Sequence, residues 1–162
     1  MKSLLLIRHA KSSWKFPQLE DHDRPLNKRG ERDIVLMASY LREQNLQVEK
    51  IVSSSATRAL KYANHLSEHC CVPLSIEQGL YTFSASKLML ELCKLESKLD
   101  TVAVVAHNPA ITGLVNELGK SYVDNVLTSA IAYLRLSISE WADIKPACGE
   151  LLWMQTPKAL LV

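Results

Sequence analysis

The amino-acid sequence predicts an α/β fold: a three-layer sandwich with a largely parallel central sheet, helices on both faces, and an antiparallel edge addition near the C-terminus. Three observations carry this. Residues 3–8 and 101–106 are continuous apolar runs of strand length, as expected of strands covered on both faces. Helical periodicities lie between such runs, so strand and helix alternate. In the last third, residues 130–138 and 150–155 read as strands with no helix between them, which suits two antiparallel neighbours at a sheet edge.

Taken in order, Leu4-Leu5-Leu6-Ile7 stops at Arg8, too short for a signal-peptide core or a membrane span, and reads as a buried strand. Ile34, Met37, Ala38 and Leu41 recur at helical spacing. Val48 to Ser53 is a weaker strand. Ala56, Ala59, Leu60 and Ala63, then Leu88, Leu92 and Leu95, predict two further helices. After the run at 101–106, Ile111, Leu114, Val115 and Leu118 predict another. No repeat or low-complexity segment interrupts the pattern, and one domain over residues 1–162 is expected.

Composition narrows the function. Lys and Arg are scattered among Asp and Glu, and the formal net charge is only +2, which argues against a nucleic-acid partner. No run is long enough for a membrane partner, and the sequence leaves the oligomeric state open. Cys70, Cys71, Cys93 and Cys148 lack CxxC spacing and read as reduced thiols of a cytoplasmic protein. No HExxH, HxH or CxxC pattern supports a metal, and no cofactor is expected. Gly113 to Ser121 is similar to a phosphate-binding loop but has one residue too many between its glycines.

Three polar clusters stand where an apolar strand ends: Arg8-His9, Ser53 to Arg58, and His107-Asn108-Pro109. In a parallel sheet the carboxyl ends of the strands face one crevice, so these clusters are expected to converge. Asn108 and Pro109 predict a helix start by N-cap and first-turn preference, and Ser54 or Ser55 an N-cap for the helix carrying Arg58. Two arginines, two histidines and two helix starts suit a dianionic phosphate. Each residue alone has a bland reading as a solvated or hydrogen-bonded side chain; their joint placement favours function.

At Leu4 to Trp14, Leu-Leu-Leu-Ile-Arg-His-Ala-Lys-Ser-Ser-Trp, the chain resembles the histidine phosphatase superfamily, which includes phosphoglycerate mutases and acid phosphatases. It most resembles the small SixA-type phosphohistidine phosphatases. The likeness continues through Asp23 to Gly30, Ser53 to Ala59, Val104 to Pro109 and Pro157-Lys158, nearly the whole chain. It implies that His9 is the nucleophile, that Arg8, Arg58 and His107 complete the catalytic pocket, and that Ser12 and Asn108 touch the phosphate. Ala10 stands where the wider superfamily usually has Gly, which supports the smaller branch.

Mutases and many ester phosphatases also carry a carboxylate acid in mid-chain, and none stands at the matching place around Gly79 to Thr82. Glu77 is the nearest candidate, read as a solvated loop residue; Asp21 and Asp23 are expected to orient Arg24 or cap a turn. The resulting expectation is a metal-independent phosphatase working through phospho-His9 on a phosphohistidine-bearing protein. His9 must be neutral to attack, its tautomer set by a bond to a backbone carbonyl, and His107 protonated beside the dianion. The alternatives are a phosphatase of small esters using Glu77 and a phosphate-binding module without turnover.

Overall fold

Strand β1 (Lys2–Arg8) is the axis of a six-stranded sheet. Beside it runs β4 (Thr101–Ala106), then β2 (Lys50–Ser53), then β3 (Leu74–Ile76) at the edge, all parallel. On the other side, β5 (Ile131–Leu136) and β6 (Gly149–Gln155) are antiparallel, as the final third of the sequence predicts. The computed structural model describes residues 1–161; Val162, the last residue of the expected domain, lies outside the described residues.

Successive side chains of a strand point to opposite faces, so an uninterrupted apolar run feeds two cores. Leu5 and Ile7 of β1, Ile51 of β2, and Ala103 and Val105 of β4 pack against α1 (Lys28–Gln44) and α2 (Thr57–Cys70). Leu4 and Leu6, Val52, and Val102 and Val104 pack on the opposite face against α3 (Ala85–Leu92) and α4 (Ala110–Leu118). The short α5 (Pro157–Leu160), capped by the Thr156 hydroxyl, closes against α1. Ile34, Met37, Ala38 and Leu41 are buried, as are Ile111, Leu114, Val115 and Leu118, so both helical stripes face inward.

Two of the local expectations are corrected, and one strand went unread. The strand β3 was not legible, because three residues on a sheet edge leave too short a pattern. The N-cap of α4 is Pro109, not Asn108; the peptide between them is cis, and Asn108 Oδ1 instead accepts from Thr112 N at 3.0 Å. The N-cap of α2 is Ala56, with no side-chain cap, because the Ser54 and Ser55 hydroxyls are engaged elsewhere.

The loop after β1 is stitched to the segment before α1. Ser13 N donates to Pro25 O at 2.8 Å and Asn27 N to Lys11 O at 3.0 Å, while Asn27 Oδ1 caps α1 at Gly30 N. A Cβ on Gly30 would collide with the Lys11 carbonyl, so only glycine allows this approach. The stitching carries Arg24 to the carboxyl end of β1. From the other side, Ser129, in the left-handed region at φ 66°, donates its N–H to both Arg8 O and His9 O, and Tyr62 Oη donates to Ser129 O at 2.7 Å.

Candidate active site

The ends of β1, β2 and β4 deliver Arg8-His9, Ser53-Ser54 and His107 to one crevice, and the first turn of α2 delivers Arg58. His9 and His107 lie with ring centroids 5.1 Å apart, both buried. The structure thus brings together the four residues named from the sequence.

His9 Nδ1 lies 2.8 Å from Ala10 O. A carbonyl oxygen only accepts, so Nδ1 carries the proton of the neutral ring and Nε2 is left with its lone pair. Burial pushes the His9 pKa down to about 3, opposed by the Ala10 bond and reinforced by Arg58, Arg8 and Arg24. All three arginines therefore stand close enough to act on His9. The backbone-fixed neutral ring is the one that the nucleophilic role requires.

Around these rings is a set of buried nitrogens with no hydrogen-bond partner among the described residues: the donors Arg8 Nε, Arg24 Nε and Nη1 and Arg58 Nε, and the ring nitrogen His107 Nδ1. Each arginine is held through one or both of its terminal nitrogens. Arg8 Nη1 donates to Val126 O at 3.1 Å; Arg58 Nη1 donates to Asp21 O at 2.6 Å and Nη2 to Asp21 Oδ2 at 2.9 Å. Arg24 Nη2 lies 3.3 Å from Asp21 Oδ1, and its guanidinium stacks 3.6 Å from the ring centroid of Trp14.

Asp21 orients Arg24, as expected, but also Arg58, and it accepts from Tyr81 Oη at 2.6 Å. Partial burial works against its charge, yet the Tyr81 and Arg58 bonds prevail and hold the carboxyl at about 2. His107 is held neutral, first by burial and then by His9 and Arg58, which together bring it down to about 3. Its Nε2 meets Ser54 Oγ at 2.8 Å, and Tyr81 and Phe83 pack edge-on against its ring at 5.2 and 5.8 Å. In the protein alone, then, His107 is a neutral imidazole; the expected protonation concerns the site with a dianion bound.

The remaining candidates fall differently. Asn108 lies beside the crevice with its amide fully used: Oδ1 accepts from Thr112 N and Oγ1, and Nδ2 donates to Asn125 Oδ1 and Val126 O, each at 3.0 Å. Because Val126 O also receives Arg8, Asn108 builds the support of that arginine. Ser12 is buried and pairs through its backbone with Leu26. Glu77 is exposed and lines a separate groove of about 270 Å³ with Lys50, Leu80 and Glu91, away from the histidines. Arg24 and Tyr81 are site residues that strand-to-helix junctions alone do not reveal. For Arg24 the usable signal is the Asp-Arg-Pro-Leu stretch at 23–26.

Residues 4–88 match the histidine phosphatase superfamily (branch 1), and the chain belongs to that superfamily. An uncharacterised protein of Mycobacterium tuberculosis is 30% identical over 163 residues, covering 94% of this chain and all of its relative. Among solved structures, the protein histidine phosphatase SixA complexed with tungstate superposes with a TM-score of 0.82 at 23% identity, covering 98% of this chain and 99% of the other. A mycobacterial glucosyl-3-phosphoglycerate phosphatase superposes at 0.71 with 16% identity, over 94% and 98%. These two structural likenesses are likenesses of fold.

Proposed function

We propose that this chain is a metal-independent phosphatase that carries a phosphoryl group on His9 Nε2 and takes it from phosphohistidine on a protein. The observation that supports a phosphoryl centre is the convergence around a neutral His9 of buried guanidinium donors from Arg8, Arg24 and Arg58 that have no partner among the described residues, with His107 Nδ1 beside them. A buried donor without an acceptor is costly, and a tetrahedral dianion supplies the acceptors that these nitrogens lack.

In this reading the Nε2 lone pair of His9 forms the new P–N bond as the bond to the leaving group breaks. The Nδ1–H bond to Ala10 O stabilises the positive charge that grows on the ring. Arg8, Arg24 and Arg58 hold the nonbridging oxygens through the transfer, a task of positioning and charge stabilisation. Water then attacks phosphorus and releases His9.

Proton supply supports the proposed substrate class. Asp21 is the carboxylate bonded into the site, and at about 2 it is ionised at neutral pH with no proton to give. An alkoxide leaving group needs one, whereas a protonated imidazole departs as a neutral ring whose conjugate acid has a pKa of roughly 6.5. One observation favours the ester alternative: Tyr81 places a hydroxyl beside Asp21, with its pKa raised by burial and by that carboxylate. Side-by-side hydrolysis of phosphohistidine, or a phosphoramidate, and an alkyl phosphate separates the two. Preference for the P–N bond supports this proposal, and preference for the ester overturns it. The free thiols of Cys70, Cys71, Cys93 and Cys148 fit a reducing cytoplasm.

A further inference from the structure

We propose that Ser54 is a positioning residue that fixes the tautomer of His107, so that Nδ1–H and not a lone pair is presented to the phosphoryl group. The inference rests on the reading of the crevice as a phosphoryl-transfer centre, and it is carried by hydrogen-bond accounting around one oxygen. Ser54 and His107 are both fully buried. Ala56 N, which can only donate, reaches Ser54 Oγ at 3.2 Å and fills one of its lone pairs. The other partner of Oγ is His107 Nε2 at 2.8 Å.

Two arrangements are open to this pair. If Nε2 bore the proton and donated to Oγ, the hydroxyl would accept twice, and its own hydrogen would be buried with no acceptor. Nδ1 would then aim a lone pair at the site. If the hydroxyl donates to Nε2, every group around Ser54 is satisfied, and the ring proton sits on Nδ1. That nitrogen is itself buried and without a partner among the described residues. Buried donors and acceptors are rarely left unmade, so the second arrangement prevails.

The assignment gives His107 its place in the chemistry. As a neutral imidazole with an Nδ1 hydrogen, it donates to a phosphoryl oxygen without first acquiring a proton. The anion-facing donors are then three guanidinium groups and one N–H. The opposite tautomer would set a lone pair against the oxygens and repel them. The position of Ser54 follows from the end of β2, where its N–H is tied to Val105 O at 2.9 Å and Ser53 Oγ donates to its carbonyl at 2.9 Å. The Ser54 backbone is therefore held at both its N–H and its carbonyl.

The test reads the tautomer directly. In the full chain labelled with 15N at histidine, long-range proton–nitrogen correlation at neutral pH should show His107 protonated at Nδ1 and unprotonated at Nε2. Ser54→Ala should lose that single tautomer and lower kcat on a phosphoramidate by about 10- to 100-fold, as misplacement of a reacting group does, with KM little changed. Ser54→Thr should restore the tautomer and return kcat to within about threefold. A wild-type His107 protonated at Nε2 overturns the proposal, as does Ser54→Ala with tautomer and kcat both intact. If Ser54→Ala does not fold, the wild-type spectrum decides. A wild-type chain with the Nδ1–H tautomer but no turnover leaves the assignment standing and removes the phosphatase reading instead.

Discussion

Lys50, Lys94 and Lys98 lie on the rim near α3, and each has a glutamate within reach: Glu96 at 3.4 Å, Glu91 at 2.9 Å and Glu96 at 3.3 Å. Arg8, Arg24 and Arg58 lie in the crevice at the ends of the strands; Arg24 and Arg58 share one carboxylate, Asp21, Arg8 has only the Val126 carbonyl, and four nitrogens of the three are buried without a partner among the described residues. In the first cluster every lysine has a carboxylate partner, with Glu96 serving two of them; the second is desolvated and over-supplied with positive charge. Exposed pairs of the first kind contribute little to stability, and burial of the second kind costs stability unless a ligand repays it. Unsatisfied charge under burial, and not charge itself, is what distinguishes the site from the surface.

The severest way to break this contrast is to remove the nucleophile. His9→Ala should lower turnover by about 10,000-fold or more, as loss of a nucleophile does elsewhere. Rapid quench and mass spectrometry of the wild type should find an acid-labile phosphoryl group on His9. Next comes the crevice charge: Arg58→Ala should lower kcat by about 100- to 1,000-fold, the scale of losing one donor to a developing oxyanion. Arg58→Lys should rescue only part of it, because a point charge cannot reproduce the fork held by Asp21.

Acid should separate the two clusters by stability. His9 and His107 titrate at about 3 in the folded chain, whereas the ordinary histidine value is 6.5. Between those limits the unfolded chain binds more protons. Stability should therefore fall as pH drops through this window, by up to about 1.4 kcal/mol per pH unit for each ring. Asp21 has the same sign at lower pH, its contribution being lost between its ordinary value of 3.8 and about 2. Urea unfolding from pH 7 to pH 4 measures the histidine slope, and His107→Gln should flatten it.

The smallest effects belong to the rim. Lys94→Ala should change unfolding free energy by less than about 0.5 kcal/mol in the same urea titration. Glu77→Gln should leave phosphoramidate hydrolysis within about twofold, since a true general acid would be worth at least about 100-fold. Chelation by EDTA should leave the rate unchanged, because guanidinium groups supply the positive charge. A rate lost to EDTA and restored by one divalent ion would revise that assignment.

The two central parallel strands, β1 and β4, were legible because they are buried on both faces and read as unbroken apolar runs, whereas the short edge strand β3 was not. That left Arg8, His9, Arg58 and His107 conspicuous where the runs end. Arg24 and Tyr81 were not legible as site residues, since both lie in irregular segments whose placement depends on contacts distant in sequence. Arg24 is carried in by the pairing of residues 12 and 26 and by the closeness of Gly30 to Lys11. Ser54 shows the same limit: a serine before a helix reads as a cap, and only the fold shows that its hydroxyl turns to a histidine 53 residues away.

Trp14 and Trp141 occupy opposite extremes of this chain. Trp141 is sealed in the core with Nε1 donating to Leu99 O at 2.7 Å, whereas Trp14 is 75% exposed and stacked under Arg24. Cation stacking on an indole depends on where the guanidinium sits. An anion that shifts Arg24 off the indole should change what Trp14 emits under ultraviolet light, against a background from Trp141 and the partly buried Trp153. Trp14 emission should therefore follow occupancy of the crevice without turnover, even in a chain whose nucleophile has been removed.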